Sequence, residues 1–317
     1  MANPRIFFVT DLHGSDRCFR KLLNAADTYK AKILICGGDI TGKQIIPIMK
    51  REGKYFTRFL GEELTLTSHT ELETLVKRIR VVGYYPYITE ADEVNKMRND
   101  PQKMEEIFKT LIVESVAEWV KLVEDRLQNT EVQLYIQPGN DDNFAIDPIL
   151  NDSEYIINPN EKIVQIDPIH EMISLGYSNI TPWHCPRDVP EKELATKIEE
   201  LASQVTNMES AIFNIHVPPY GSLIDDAPKL DESLKPQLLP GGEPELVPTG
   251  STAVRSAIET HQPLLGLHGH IHEAKGFTKI GRTFVCNPGS EYSEGILKGF
   301  LFTLHPKKVE HYLFTSG

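Results

Sequence analysis

The chain opens on a short apolar run at residues 5–10 (RIFFVT), which stops at Asp11-Leu12-His13-Gly14. From about 15 to 29, apolar residues recur at the helical interval, with Phe19, Leu22, Leu23 and Ala26 on one face. A second apolar run at 32–36 (KILIC) ends in Gly37-Gly38-Asp39. Strand, helix and strand at these lengths predict a right-handed βαβ unit in a parallel sheet. Residues from about 43 to 130 break this rhythm. They are rich in Glu, Lys and Leu and read as mostly helical. One helix is predicted over 68–80, where Ser68 and Glu71 fit a capping box. Another is predicted over 101–127, with Pro101 at a favoured first position. The stretch reads either as a helical insertion capping a site or as an ordinary helical layer.

The strand rhythm resumes at 131–136 and ends in Pro138-Gly139-Asn140-Asp141-Asp142. β-like runs continue to Tyr177, and a helix fits 191–205. A strand at 211–215 ends in His216-Val217-Pro218-Pro219. Residues 218–249 hold much of the Pro and Gly and read as a long loop. A helix at 251–260 and a strand at 263–267 lead to His268-Gly269-His270-Ile271-His272, and short strands finish the chain. The expected fold is α/β in one domain over 1–317, with the insertion at about 43–130.

Composition narrows the function classes. Of 317 residues, 40% are hydrophobic and 25% charged, which fits a globular chain. No run approaches the length of a membrane span, and the start lacks the apolar stretch of a signal peptide. The four scattered cysteines form no CxxC and read as reduced thiols, so a cytoplasmic location is expected. Lys and Arg number 33 against 45 Asp and Glu, a net charge of −12. That disfavours nucleic acid and anionic membrane as partners, because phosphate backbones need clustered cations. A phosphate ligand would need positive charge from another source.

The polar clusters all fall at the C-terminal ends of apolar strands, where open α/β sheets bind ligands. They are Asp11/His13, Asp39, Asn140/Asp141, His216 and His270/His272. Carboxylate, amide and imidazole donors together suit divalent Mn, Fe or Zn. Seven such residues, Asp11, His13, Asp39, Asn140, His216, His270 and His272, exceed the needs of one tetrahedral ion. They suit two ions sharing a carboxylate. His268 reads as packing and Asp142 as a helix N-cap. Residues 37–44 mimic a phosphate-binding GxxxxGK loop, but Gln44 stands where Ser or Thr must meet magnesium, and Ile45-Ile46-Pro47 is a poor helix start. That reading is rejected, with Lys43 retained as a pocket residue. Trp183 and His184 form a substrate lip or pack beneath a loop. Asn287-Pro288-Gly289-Ser290 is a turn. The start of the 251–260 helix is either an anion site or an ordinary cap.

The ordered blocks DLHG, GGD, GN, a lone His after a strand, and GHIH resemble the signature of the calcineurin-like metallophosphoesterase superfamily. TPWHCPRD, HVPPYG, QPLLGLHGHIHEAKG and NPGSEYSEG are similar to its Icc-related bacterial branch. The resemblance implies a four-layer α/β/β/α sandwich. It implies that Asp11, His13 and His272 hold one ion, that Asn140, His216 and His270 hold the other, and that Asp39 bridges them. A bridging hydroxide would attack phosphorus in a small phosphate-ester substrate, most simply a phosphodiester. One departure stands out: the superfamily's GNH reads Gly139-Asn140-Asp141 here. The proton donor then falls to Asp141 or His184. A metal-holding scaffold without catalysis is the rival that this departure motivates, and a nuclease is a weaker one.

Overall fold

The computed structural model describes residues 4–317. Two six-stranded sheets lie face to face. In the first, Arg5–Val9, Ile33–Cys36, Gln133–Ile136 and Ile156–Ile157 run parallel, and Lys298–His305 and Lys308–Ser316 add antiparallel strands beyond Arg5–Val9. In the second, Glu171–Leu175, Ile212–Ile215, Leu265–Leu267 and Thr283–Asn287 run parallel, with Lys162–Gln165 and Gly276–Ile280 as antiparallel edges.

Successive strand residues point to opposite faces, and this alternation builds the layers. Ile6, Phe8, Ile33, Ile35 and Tyr135 meet Met172, Ile212, Leu265 and Phe284 between the sheets. Phe7, Val9, Leu34 and Ile136 face outward onto helices Asp16–Tyr29 and Pro101–Leu127. Ile173, Phe213, Ile215 and Val285 face outward onto Glu191–Ala202 and Thr252–His261. Helix, sheet, sheet and helix make the expected four layers. Helix Pro101–Leu127 is part of the outer layer: Ile112, Val116, Trp119 and Val123 pack on the first sheet, and Trp119 stacks on Phe19 at 4.0 Å. Among the described residues no helix is long and apolar enough to cross a membrane.

The stretch from 43 onward is richer in strand than its pattern predicts. Helix His69–Val81 is there, with the Ser68/Glu71 capping box formed. Around it Ile45–Arg51, Lys54–Phe59, Glu62–Leu66 and Tyr85–Glu90 build a separate four-stranded sheet. Its small core is Ile46, Ile48, Phe59, Leu72, Leu75 and Ile79. Strands wetted on one side and filled with Lys, Arg and Glu lack the apolar run that marks the central ones. The 218–249 stretch is likewise more ordered than a loop. Asp226–Pro228 pairs antiparallel with Leu246–Pro248, and bridges Leu230 to Pro236 and Leu238 to Pro244 extend it into an arm.

Candidate metal centre

Each of the seven candidate ligands sits just past a central strand, and the sheet packing brings them together. Three groups result, Asp11 with His13 and His272, Asp39 with His216 and His270, and His13 with Asp39 and Asp141; within each, one ligand atom per residue lies within 4.8 Å of the others. Asp39 spans the first two: Oδ2 is 3.6 Å from His13 Nε2, and Oδ1 is 3.4 Å from His216 Nε2. Asn140 Oδ1 stands 2.9 Å from His270 Nδ1.

The local backbone is shaped for this. Asp11, His13, Asp39 and His270 all have left-handed φ, at 54°, 41°, 50° and 67°. Such conformations cost on the order of 1 kcal/mol or more each and persist where the surroundings enforce them. A Cβ on Gly139 would overlap the Asp39 carboxylate, and one on Gly269 would overlap Asp11 and Thr10. Both glycines therefore let two loops close over the carboxylates.

The hydrogen bonds aim the donors. His216 Nδ1 donates to Gly37 O at 2.9 Å, which turns Nε2 toward the Asp39 and Asp11 carboxylates. That Nε2 is buried and makes no hydrogen bond. His13 Nε2 faces His272 Nε2 at 3.1 Å, and only one of those nitrogens can carry a hydrogen. The Asn140 amide nitrogen donates to Asp188 Oδ1 at 2.9 Å, so its oxygen turns to the cluster. A buried nitrogen without a hydrogen bond, opposed imidazoles and two buried carboxylates fit divalent cations by their donor chemistry.

The titration behaviour has the same origin. Burial alone would raise the Asp11 and Asp39 carboxyls. The facing imidazoles, His272 for Asp11 and His216 for Asp39, overcome it and hold both below the usual carboxylate range. Burial works to lower His216, but Asp39 and Asp11 hold it up at about 9. Burial and the neighbouring His216 push His270 down to about 4. Burial and the Lys43 ammonium hold His13 well below its ordinary value.

Hydrogen bonds decide three other readings. Asp142 caps no helix. Its buried carboxylate accepts from the Ile40, Thr41 and Gly139 backbone N–H groups at 3.0, 2.8 and 2.7 Å, tying the Asp39 loop to the Asn140 loop. Burial and the Asp39 charge raise it to about 6 against those bonds. The backbone N–H groups of Thr252 and Ala253 are filled by the Glu191 carboxylate at 3.0 and 2.9 Å, so that helix start is an ordinary one. Asn287-Pro288-Gly289-Ser290 is more than a turn. Asn287 Nδ2 donates to Gly269 O and Ile271 O, and Ser290 Oγ donates to Asp11 O at 2.6 Å. His268 is packing as expected, its Nδ1 donating to Ile215 O at 2.8 Å.

Of the two proton-donor candidates, Asp141 lies at the cluster, its Oδ2 2.9 Å from Lys43 Nζ and 4.0 Å from His13 Nδ1. His184 is exposed, and its backbone N–H donates to Thr181 O. Its motif contributes instead through Asp188, which orients Asn140, and through Arg187. Arg187 is buried and donates to Asp142 O at 3.0 Å and to Asp147 at 2.6 Å. The partner roles of Arg187, Asp188 and Tyr292 carry no spacing signal in the sequence. Tyr292 packs its ring 4.6 Å from that of His13.

No family model matches the chain. An uncharacterized protein of Methanocaldococcus jannaschii is 30% identical over 153 residues, 48% of this chain. The match covers 61% of that relative's length. One crystal structure aligns over 97% of this chain and 98% of its own, with 15% identity and a TM-score of 0.56. The crystal structure of TT1561 from Thermus thermophilus aligns over 99% and 98%, with 15% identity and a TM-score of 0.53. At that identity the likeness shows a shared fold.

Proposed function

We propose that the chain is a two-metal phosphoesterase that hydrolyses a small-molecule phosphodiester. The observation that carries this reading is Asp39, whose two oxygens face two separate imidazole clusters. In this reading Asp11, His13 and His272 hold one divalent ion, Asn140, His216 and His270 hold the other, and Asp39 serves both. The bound ions would supply the positive charge that an acidic protein otherwise lacks, polarising the ester and making water nucleophilic near neutral pH.

The chain's own residues do the rest. Asp142 and Asp188 fix the two loops that present Asp39 and Asn140. Asp141 stands where the resemblance places a histidine. Its partner is Lys43: burial opposes the ammonium charge, but Asp141 and Asp39 keep it protonated. Lys43 thus offers a fixed positive charge to a phosphoryl oxygen. Attack by water forms one P–O bond while the ester P–O bond breaks, and the departing oxygen takes up a proton. With Asp141 in place of a histidine directly after Asn140 in the chain, esters with good leaving groups are the best substrates. This reading carries with it membership of the calcineurin-like metallophosphoesterase superfamily, and TPWHCPRD and NPGSEYSEG support its Icc-related branch.

The test uses manganese-loaded protein and bis(p-nitrophenyl) phosphate. Turnover is expected, and Asp39→Asn is expected to lower it by about 10³-fold or more. Equal rates for the two proteins would contradict the reading.

A further inference from the structure

The ligand cluster is the floor of a much larger cleft. Its volume is about 870 Å³, at the upper end of the size that suits a whole organic ligand and far more than a phosphate group needs. Two walls rise from the floor. Ile180, Pro182 and Trp183 form one, and Leu230, Leu234 and Val247 of the 226–248 arm form the other. Trp183 is 63% exposed and Leu234 45%, so both present apolar surface to the opening. The arm is held in place at its base. Asp225 accepts from the Gly221, Ser222 and Gly250 N–H groups, and Lys229 N donates to Glu245 O at 2.7 Å.

The lysine charges in the cleft are both paired, Lys43 with Asp141 at 2.9 Å and Lys229 with Glu245 at 3.1 Å. Glu273 adds a carboxylate to the lining. A second phosphate or a carboxylate on the substrate would meet no unpaired cation among the described lining residues. An apolar group would bury against the aromatic and aliphatic walls.

We propose that this cleft selects phosphodiesters whose second ester group is bulky, apolar and uncharged, with Trp183 and Leu234 as the residues that set the preference. The inference rests on the phosphoesterase reading for its phosphate and on the cleft for its selectivity.

The experiment uses the manganese-loaded 317-residue chain and three diesters with the same leaving group: methyl, cyclohexylmethyl and carboxypentyl p-nitrophenyl phosphate. The cyclohexylmethyl ester is expected to show about 10–100-fold higher kcat/KM than the methyl ester, mostly through KM. The carboxypentyl ester is expected to fall below the cyclohexylmethyl one. Trp183→Ala and Leu234→Asp are each expected to shrink the cyclohexylmethyl-to-methyl ratio about tenfold; both sites are exposed enough for the variants to fold. Binding of cyclohexylmethylphosphonate against methylphosphonate, read by calorimetry, gives the same comparison without turnover. Turnover with equal kcat/KM for all three esters would overturn the cleft inference alone. Phosphonate discrimination without turnover of any ester would overturn the phosphodiesterase reading and support the cleft inference. Equal binding of the two phosphonates would overturn the cleft inference.

Discussion

The two central sheets and the small sheet at 45–90 use strands in different ways. The central parallel strands Ile33–Cys36 and Ile212–Ile215 are buried along their whole length, because each is covered on both faces. These two and the central strands Arg5–Val9, Gln133–Ile136 and Leu265–Leu267 end in polar loops, and those five loops carry all seven candidate ligands. The strands of the small sheet alternate or stay exposed, and its one buried face closes on helix His69–Val81. It carries none of the seven. It instead props the site from outside: Ser15 Oγ donates to Val81 O at 2.5 Å, and Gly42 N donates to Tyr85 OH at 2.7 Å, next to Lys43. Ligand placement therefore belongs to the double sheet, while the added sheet braces the loop that ends in Lys43.

The largest separation between these regions should come from the bridging carboxylate. Asp39→Asn is expected to reduce bound manganese below two ions per chain, read by elemental analysis, with little change in the melting of the 45–90 sheet. Leu75→Ala should do the reverse. It empties the small core, costs about 2–4 kcal/mol by denaturant unfolding, and leaves the ion count unchanged.

The pH dependence of the metal-free protein sharpens the contrast further. His216 is raised to about 9, so its contribution is full below its unfolded value of 6.5 and is lost as pH rises through 9. His268 and His270 are lowered to about 4, so theirs are present above 6.5 and lost as pH falls toward 4. Melting temperature should peak near pH 6.5, with an alkaline loss of roughly 3 kcal/mol. Manganese should remove that alkaline limb, because His216 must then be neutral. The acid limb should persist, because His268 is not a ligand. Asp188→Ala, which frees the Asn140 amide to turn, should weaken manganese binding about tenfold in a titration. The smallest effect belongs to Ser68→Ala. It breaks the capping box of the small sheet's helix, costs about 1 kcal/mol, and leaves metal affinity where it was.

The same contrast explains what the sequence could say. Short, largely apolar runs such as ILIC and IFNI mark buried parallel strands, and a polar residue soon after such a run falls at the end of the sheet. That made the α/β strand order and the clustering of Asp11, Asp39, His216 and His270 legible, while the four layers were implied by the superfamily resemblance. The 45–90 strands were not legible, because KYFTRF and EELTL carry as much charge as a solvated helix. Asp142, Arg187 and Asp188 were misread or missed for a different reason. Their roles are hydrogen bonds between loops far apart in the chain, such as Thr41 to Asp142 and Asn140 to Asp188, which no local spacing encodes.

The direct test of the two-ion centre is the manganese content of wild-type protein after stripping and reloading, measured by elemental analysis against protein concentration. Two ions per chain are expected, both lost when His13 and His216 are replaced together by alanine. One ion per chain, or none, would contradict the assignment of Asp39 as a ligand shared by two sites.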